Sequence, residues 1–124
     1  MGIVVKDLDK SINYFEKLGL GPFIRPELNF TEKICYGKPA EFEVALGFCS
    51  LGPIEMELIQ PVSGQSIYHE YLEQSGEGLH HLGFDVQDMD ARLERYQKMG
   101  LKVILLVRRE GGVQPIWIRE KQAV

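Results

Sequence analysis

The stretch "GIVVKDLDKSINYFEKLGL", from Gly2 to Leu20, occurs a second time in this chain in altered form. Its counterpart "GFDVQDMDARLERYQKMGL" runs from Gly83 to Leu101, and the two align without a gap at an offset of 83 − 2 = 81 residues. Seven positions are identical, including an aspartate suited to cap a helix and a glycine suited to end one. Two helices with the same start and stop signals, each followed by extended segments, indicate a duplicated module.

The residues between these signals have helical spacing in the first copy. After Asp7, apolar residues recur at Leu8, Ile12, Phe15 and Leu18, and Gly19 follows. Alternating segments that read as strands come next, "EFEVALGFCSLG" and "IEMELI", and the second copy is followed by "LKVILLV" and "VQPIWI". Between the halves, "SIYHEYLEQSG" predicts a short helix capped by Ser66 and ended by Gly76. The mixed order of elements predicts an α+β fold.

Composition narrows the class of protein. The chain has 124 residues, 44% hydrophobic and 26% charged, which is an ordinary balance for one globular domain. A net charge of −4 without a basic run argues against a nucleic-acid partner. No apolar run approaches the ~20 residues of a membrane span, and no signal peptide is apparent. Free thiols at Cys35 and Cys49 agree with a reducing compartment, so we expect a cytoplasmic protein without a membrane partner.

Alternation along the strands predicts a polar face turned away from the helices. In "HLGFDV", Leu82, Phe84 and Val86 should pack against a helix, and His81 should lie on the opposite face. In "IEMELI", Met56 and Leu58 belong to the packing side, while Glu57 opposes them. In the preceding strand, the residues expected to face away from the helix are Glu41, Glu43, Ala45, Gly47 and Cys49. A histidine and carboxylates beside small residues leave room for a ligand.

Several segments resemble the vicinal oxygen chelate superfamily, which includes glyoxalases, extradiol dioxygenases, bleomycin-resistance proteins and methylmalonyl-CoA epimerases. They are "GIVVKDLDKSINYFEKLGLGPF", "EMELIQPVSGQS", "YLEQSGEGLHHLGFDVQDMDARLERYQKMGLKVI" and "RREGGVQPIWI". They are most similar to the epimerase-like branch, and they span nearly the whole chain. The resemblance implies two tandem βαβββ modules in a single glyoxalase-like domain, forming a curled mixed sheet around a metal cleft.

The implied domain occupies residues 1–124, with module one at about 1–62, a linker helix at about 63–78 and module two at about 79–124. The last strand of module two is expected near position 57 + 81 = 138, so the second module should lack it within this chain. The position equivalent to His81 in module one is 81 − 81 = 0, one residue before Met1.

The resemblance also implies a metal site. The family's ligand in the "HHLGF" strand matches His81, and its glutamate or glutamine in the last strand of module one matches Glu57. The two remaining ligands would lie before Met1 and beyond Val124. Imidazole and carboxylate ligands suit a divalent cation such as Co²⁺, Mn²⁺, Zn²⁺, Ni²⁺ or Mg²⁺. Without the repeat and the resemblance, His81 would read as a hydrogen-bonded core histidine, as His80 does.

The implied reaction is epimerisation of an acyl-CoA, in which a proton leaves and returns alpha to a thioester. The branch uses a glutamate about one strand before the module-one ligand, which matches Glu41, with Glu43 as the alternative. Either one would otherwise read as a solvated strand residue. Two other functions remain open: another glyoxalase or lyase of the same scaffold, and a bleomycin-resistance-like protein that binds a ligand without turnover. A homodimer is expected from the family.

Overall fold

The structure is a computed structural model that describes residues 1–109 and the backbone of residues 116–120. These ranges contain three helices and eight strands. In chain order the elements are β1 (Gly2–Val4), α1 (Leu8–Lys17), β2 (Phe30–Cys35), β3 (Lys38–Pro39), β4 (Phe42–Leu51), β5 (Ile54–Gly64), α2 (Ile67–Ser75), β6 (Gly78–His81), α3 (Met89–Lys98), β7 (Leu101–Arg109) and β8 (Ile116–Glu120). The predicted mixed α+β fold is confirmed.

The elements group into two compact units. The first comprises Met1–Glu27 and Glu41–Gly83, and its four-stranded sheet has the order β4-β5-β1-β6, with β1 and β5 parallel. The second comprises Leu28–Ala40 and Phe84–Val124, and its antiparallel sheet has the order β3-β2-β7-β8. These units are defined by spatial contacts, whereas the predicted modules are defined by a repeat in the sequence. The two divisions therefore describe different things, and the module boundaries stay a prediction.

The two repeated helices have equivalent ends. α1 and α3 begin and end at positions that differ by 81, as the sequence offset predicts. Asp7 accepts a hydrogen bond from the Lys10 amide at 3.1 Å, and Asp88 accepts one from the Ala91 amide at 3.0 Å. After each helix, a glycine takes a positive φ, 87° at Gly19 and 90° at Gly100. α2 likewise has Ser66 as its N-cap and Gly76 at its end, as predicted.

The core of the first unit lies between its sheet and α1. Its buried members come from β1, the turn after it, α1 and β5: Val5, Leu8, Ile12, Met56 and Leu58. Burial of one such aliphatic side chain stabilises the fold by about 1.5–3 kcal/mol. Gly47 of β4 lets the helix approach closely, because a Cβ there would lie only 3.1 Å from the Ile12 Cδ1 methyl.

The predicted faces of β4 were assigned the wrong way round. Ala45 packs against the α1 core and Cys49 is buried, so these residues face the helix instead of facing away from it. Pairing decides this, since Cys49 lies opposite Met56 and Gly47 lies opposite Leu58, both of which face α1. Alternation along one strand separates its residues into two sets but does not show which set meets the helix.

The strand predicted over "HLGFDV" ends early. β6 stops at His81, and Leu82 and Phe84 are 64% and 83% exposed, so the predicted packing of these side chains on a helix is wrong. The reason is the partner strand: β6 runs antiparallel to β1, and His81 is already paired with Gly2, the first residue of β1. Beyond that point β1 offers no partner, and the chain leaves the sheet.

The second unit contains a hairpin that the sequence patterns did not reveal. β2 and β3 join through Tyr36 and Gly37, which have φ angles of 52° and 77°. β2 pairs with β7, whose Leu105 and Val107 are buried, and Arg108 Nε bonds Glu32 Oε2 across these strands at 2.8 Å. Part of the predicted "VQPIWI" strand lies outside the described residues. None of the helices in the described ranges combines the length and apolar character needed to cross a membrane.

Candidate functional site

One row of residues crosses the first sheet from strand to strand. Phe48 of β4 pairs with Glu57 of β5, Glu57 pairs with Gly2 of β1, and Gly2 pairs with His81 of β6. Residues directly opposite each other in adjacent strands share a face of the sheet. This face is opposite to α1, because Met56 and Leu58, which flank Glu57 in β5, pack against that helix.

Gly2 leaves room for the two candidate ligands of this row, His81 and Glu57, to approach each other. A Cβ atom at Gly2 would overlap the imidazole ring of His81, so the ring lies over the glycine in the space that a side chain would fill. His81 Nε2 thereby comes to 3.5 Å from Glu57 Oε2 across the intervening strand. The side chains are 17% and 20% exposed, so both remain partly accessible to solvent.

A β-bulge explains why two histidines adjoin in the sequence. β1 pairs Gly2 with His81 and the next residue, Ile3, with Leu79, which leaves His80 as the extra residue of β6. A bulge interrupts the alternation of side chains and re-aims the residues at the irregularity. As a result, the Nδ1 atoms of His80 and His81 lie 3.0 Å apart.

His80 is enclosed by the aromatic rings of α2. Its ring centroid lies 5.0 Å from that of Tyr68 and 5.0 Å from that of Tyr71, which it meets edge-on. Burial, and then the neighbouring charge of His81, lower the pKa of His80 to about 4. His80 is therefore neutral at pH 7. It lies in a bulge of β6 beside α2.

Hydrogen bonds hold β6 against α2 and the chain after β1. The Tyr71 hydroxyl donates to the Leu79 carbonyl at 2.9 Å, and Glu77 Oε2 accepts from the Lys6 amide at 2.9 Å. Tyr71 therefore supports both sides of the bulge, through its ring against His80 and its hydroxyl on the preceding residue. This support fixes the position from which His81 extends toward Glu57.

The predicted bases lie away from this pair. Glu41 and Glu43 are both exposed, and Glu43 is paired with Ser63, six residues along β5 from Glu57. Six residues span about 20 Å in a straight strand. In the alternation of β4, Glu43 falls on the same face as Ala45 and not on that of Phe48. Within residues 1–109, no three His, Cys, Asp or Glu side chains cluster as a metal site would require, so neither glutamate joins His81 and Glu57.

The donor chemistry of the pair fits a divalent cation in part. Imidazole nitrogen and carboxylate oxygen are ordinary ligands of such ions. Two donors of a tetrahedral zinc ion, each at ~2.0–2.1 Å, lie about 3.4 Å from one another. The 3.5 Å between His81 Nε2 and Glu57 Oε2 agrees with that spacing. They would provide two of the ligands, and the others must come from outside the described cluster.

Sequence reasoning found the two candidate ligands but missed three residues that lie beside them. Phe48 was not among the residues expected to face away from the helix, Gly2 was noted only as a repeated residue, and the contact of His80 with His81 depends on a bulge. The glycine shared by both copies of the repeat was a usable signal, since a glycine within a strand often marks a close approach.

A comparison with protein-family models decides the family. Residues 1–115 match the model of the Glyoxalase/Bleomycin resistance protein/Dioxygenase superfamily. The chain belongs to this superfamily. The resemblance seen in the sequence is thus confirmed at the level of the superfamily.

Solved structures share the fold at low sequence identity. A variant of Streptomyces coelicolor methylmalonyl-CoA epimerase in complex with 2-nitronate-propionyl-CoA superposes with a TM-score of 0.67 at 18% identity, covering 98% of this chain and 94% of that one. Methylmalonyl-CoA epimerase from Mycobacterium tuberculosis gives 0.60 at 19% identity, covering 98% and 85%. Hypothetical protein BH1468 from Bacillus halodurans C-125 gives 0.61 at 19% identity, covering 99% and 93%.

A curated relative matches part of the chain. Uncharacterized protein YqjC of Bacillus subtilis (strain 168) is 31% identical over 72 residues, which are 58% of this chain. The match covers 51% of the relative, so this chain spans about half the length of that protein. The superfamily model, which covers most of the chain, therefore carries the assignment.

Proposed function

We propose that this protein is a metal-dependent isomerase, similar to methylmalonyl-CoA epimerase, that moves a proton alpha to the carbonyl of a thioester. The observation that carries the proposal is the pairing of His81 with Glu57 on one accessible sheet face, 3.5 Å apart across Gly2. Membership of the superfamily and the fold shared with methylmalonyl-CoA epimerases support the substrate class.

His81 Nε2 and Glu57 Oε2 would hold the cation. When bound, a divalent cation supplies Lewis-acid stabilisation of the negative charge that develops on the thioester oxygen as the proton leaves. The neighbouring Phe48 offers an apolar surface beside Glu57 for the substrate's acyl group. Low exposure of His81 and Glu57 limits competition from water for the same positions.

The proton must be removed and returned by groups on either side of the alpha carbon. For one of these roles we propose Glu41, with Glu43 as the alternative. This assignment rests on the resemblance alone, because both carboxylates are exposed and lie apart from the His81–Glu57 pair.

Deuterium incorporation at the alpha carbon of the substrate tests the proposal directly. Methylmalonyl-CoA is incubated in heavy water with the protein and added Co²⁺ or Mn²⁺, and deuterium at the alpha carbon is measured by mass spectrometry. We expect exchange that requires the protein, requires the metal and stops when a chelator is added. If the metal-loaded protein exchanges no deuterium into any short acyl-CoA, the epimerase proposal is wrong. A glyoxalase or lyase would then show turnover of other substrates, and a binding protein would show ligand affinity without turnover.

A further inference from the structure

We propose that His80 and His81 share one proton between their Nδ1 atoms, so that the two rings always hold opposite tautomers and the form that His81 presents to Glu57 is coupled to the form of His80. His80 is then a positioning residue for His81. The inference goes beyond the proposed function, because the shared proton exists whether or not a cation binds.

The distance between the two rings requires a proton. A separation of 3.0 Å between two ring nitrogens is a hydrogen-bond length. Two bare lone pairs at this distance would repel each other, and two N–H groups would collide. One Nδ1 must therefore donate and the other accept. In a neutral imidazole only one nitrogen carries hydrogen, so fixing Nδ1 also fixes Nε2 on each ring.

In the metal-free protein, the group that faces Nε2 of His81 favours one of the two tautomer arrangements. His81 Nε2 faces the Glu57 carboxylate, which accepts hydrogen bonds and donates none when ionised. The favoured state therefore places a proton on His81 Nε2, leaves its Nδ1 bare and places the shared proton on His80 Nδ1. His80 is kept in line by Tyr68 and Tyr71, so the contact does not depend on a freely rotating ring.

A cation at His81 Nε2 requires the opposite arrangement, since the ligand must present a lone pair. The His81 Nε2 proton leaves to solvent, the shared proton moves from His80 Nδ1 to His81 Nδ1, and His80 takes a proton from solvent at Nε2. Each ring carries one proton before and after, so both stay neutral while both tautomers invert. Only a partner that can accept as well as donate at Nδ1 permits this exchange. Histidine meets that requirement, and a backbone carbonyl does not.

Nitrogen-15 NMR of the imidazole side chains measures the tautomers without any activity assay. In metal-free protein at pH 7 we expect a protonated Nδ1 on His80 and a protonated Nε2 on His81. Saturation with Zn²⁺, which is diamagnetic, should invert both assignments together. If the two rings show the same tautomer in metal-free protein, or if His81 inverts and His80 does not, the proposal is overturned.

Two variants sharpen the test. His80→Phe keeps an aromatic ring between Tyr68 and Tyr71 but removes the acceptor, and Zn²⁺ affinity by calorimetry should fall by about 10–100-fold, as for loss of other groups that orient a ligand. Leu82→Ala changes an exposed side chain next to His81 that takes no part in the contact, and it should keep the paired tautomers. Unchanged affinity in folded His80→Phe would contradict the positioning role. A protein that binds no Zn²⁺ would refute the proposed metal site, while the metal-free tautomers would still decide the shared proton.

Discussion

His81 Nε2 lies 3.5 Å from Glu57 Oε2, although one strand of the sheet runs between the two residues. The approach is possible because the residue of β1 paired with both of them is Gly2, whose missing side chain leaves room for the imidazole ring. The candidate site is therefore built by three strands whose contributions are far apart in the chain, and it depends on a residue that carries no functional group.

Gly2→Ala should separate the pair. The added methyl group would overlap the His81 ring, which must turn away, and such overpacking costs about 1–3 kcal/mol of unfolding free energy. We expect Zn²⁺ affinity to fall at least ~10-fold, as when a ligand loses its orientation. Gly83→Ala is a matched control, because Gly83 is the repeat equivalent of Gly2 and a Cβ there meets nothing within 4 Å. Equal effects in the two variants would contradict the role given to Gly2.

Glu57→Gln should weaken metal binding while leaving the fold intact, because the amide has nearly the same shape but no charge. Loss of an anionic ligand should lower Zn²⁺ affinity and metal-dependent deuterium exchange by ~10-fold or more. Glu55→Gln serves as the control, since Glu55 is an exposed residue of the same strand with the same chemistry. Calorimetry with Zn²⁺ distinguishes the two, and a similar loss in both variants would point to a general effect of charge.

Glu41→Gln tests the assignment of the base. A general base typically contributes ~10²–10⁴-fold to the rate, so its loss should reduce deuterium exchange by that order without changing Zn²⁺ affinity. Glu43→Gln is measured in parallel, since it is the alternative. Should both variants exchange at the wild-type rate, the base lies elsewhere, and the distance of these carboxylates from the His81–Glu57 pair would account for the result.

Acid should destabilise the metal-free protein through His80. Burial and the nearby His81 lower the pKa of His80 from 6.5 to about 4, so the unfolded chain binds a proton at a pH where the folded protein does not. The free energy of unfolding should be unaffected by His80 above about pH 6.5 and should fall as the pH drops from there toward about 4. Because His80 is only half-buried, solvent screening reduces the effect to the order of 1 kcal/mol.

Urea titrations at pH 7.5 and pH 5 measure this loss. In His80→Phe the drop in unfolding free energy should be smaller than in wild type, while contributions from other titrating groups remain. The groups that contact His80 are His81 and the rings of Tyr68 and Tyr71. An equal drop in both proteins would show that His80 is not desolvated.

Removal of the helix caps should affect the two copies of the repeat unequally. Asp7→Ala and Asp88→Ala each delete the same hydrogen bond and should cost about 0.5–2 kcal/mol locally. α1 carries the buried Leu8 and Ile12, whereas α3 buries no residue. We expect Asp7→Ala to lower global stability and Asp88→Ala mainly to increase amide exchange within α3. Amide hydrogen exchange and chemical denaturation are measured for both variants. Equal losses of global unfolding free energy would contradict this expectation.

The sequence alone determined the helices and the identity of the candidate ligands. Caps, stop signals and apolar spacing act over a few neighbouring residues, so the ends of α1, α2 and α3 could be predicted closely. The repeat and the family resemblance then selected His81 and Glu57 from the chain's histidines and carboxylates. Each of these signals is a local pattern or a comparison of patterns along the chain.

The tertiary structure decided which strands pair, in which register and with which face toward the helix. Gly2 and His81 are 81 − 2 = 79 residues apart in the sequence, and no local preference brings them into one row. The same pairing ends β6 at His81 and leaves His80 as the extra residue against the ring of its neighbour. Strand pairing is a long-range choice, made by burial and backbone hydrogen bonding together, and alternation within one strand is compatible with either face.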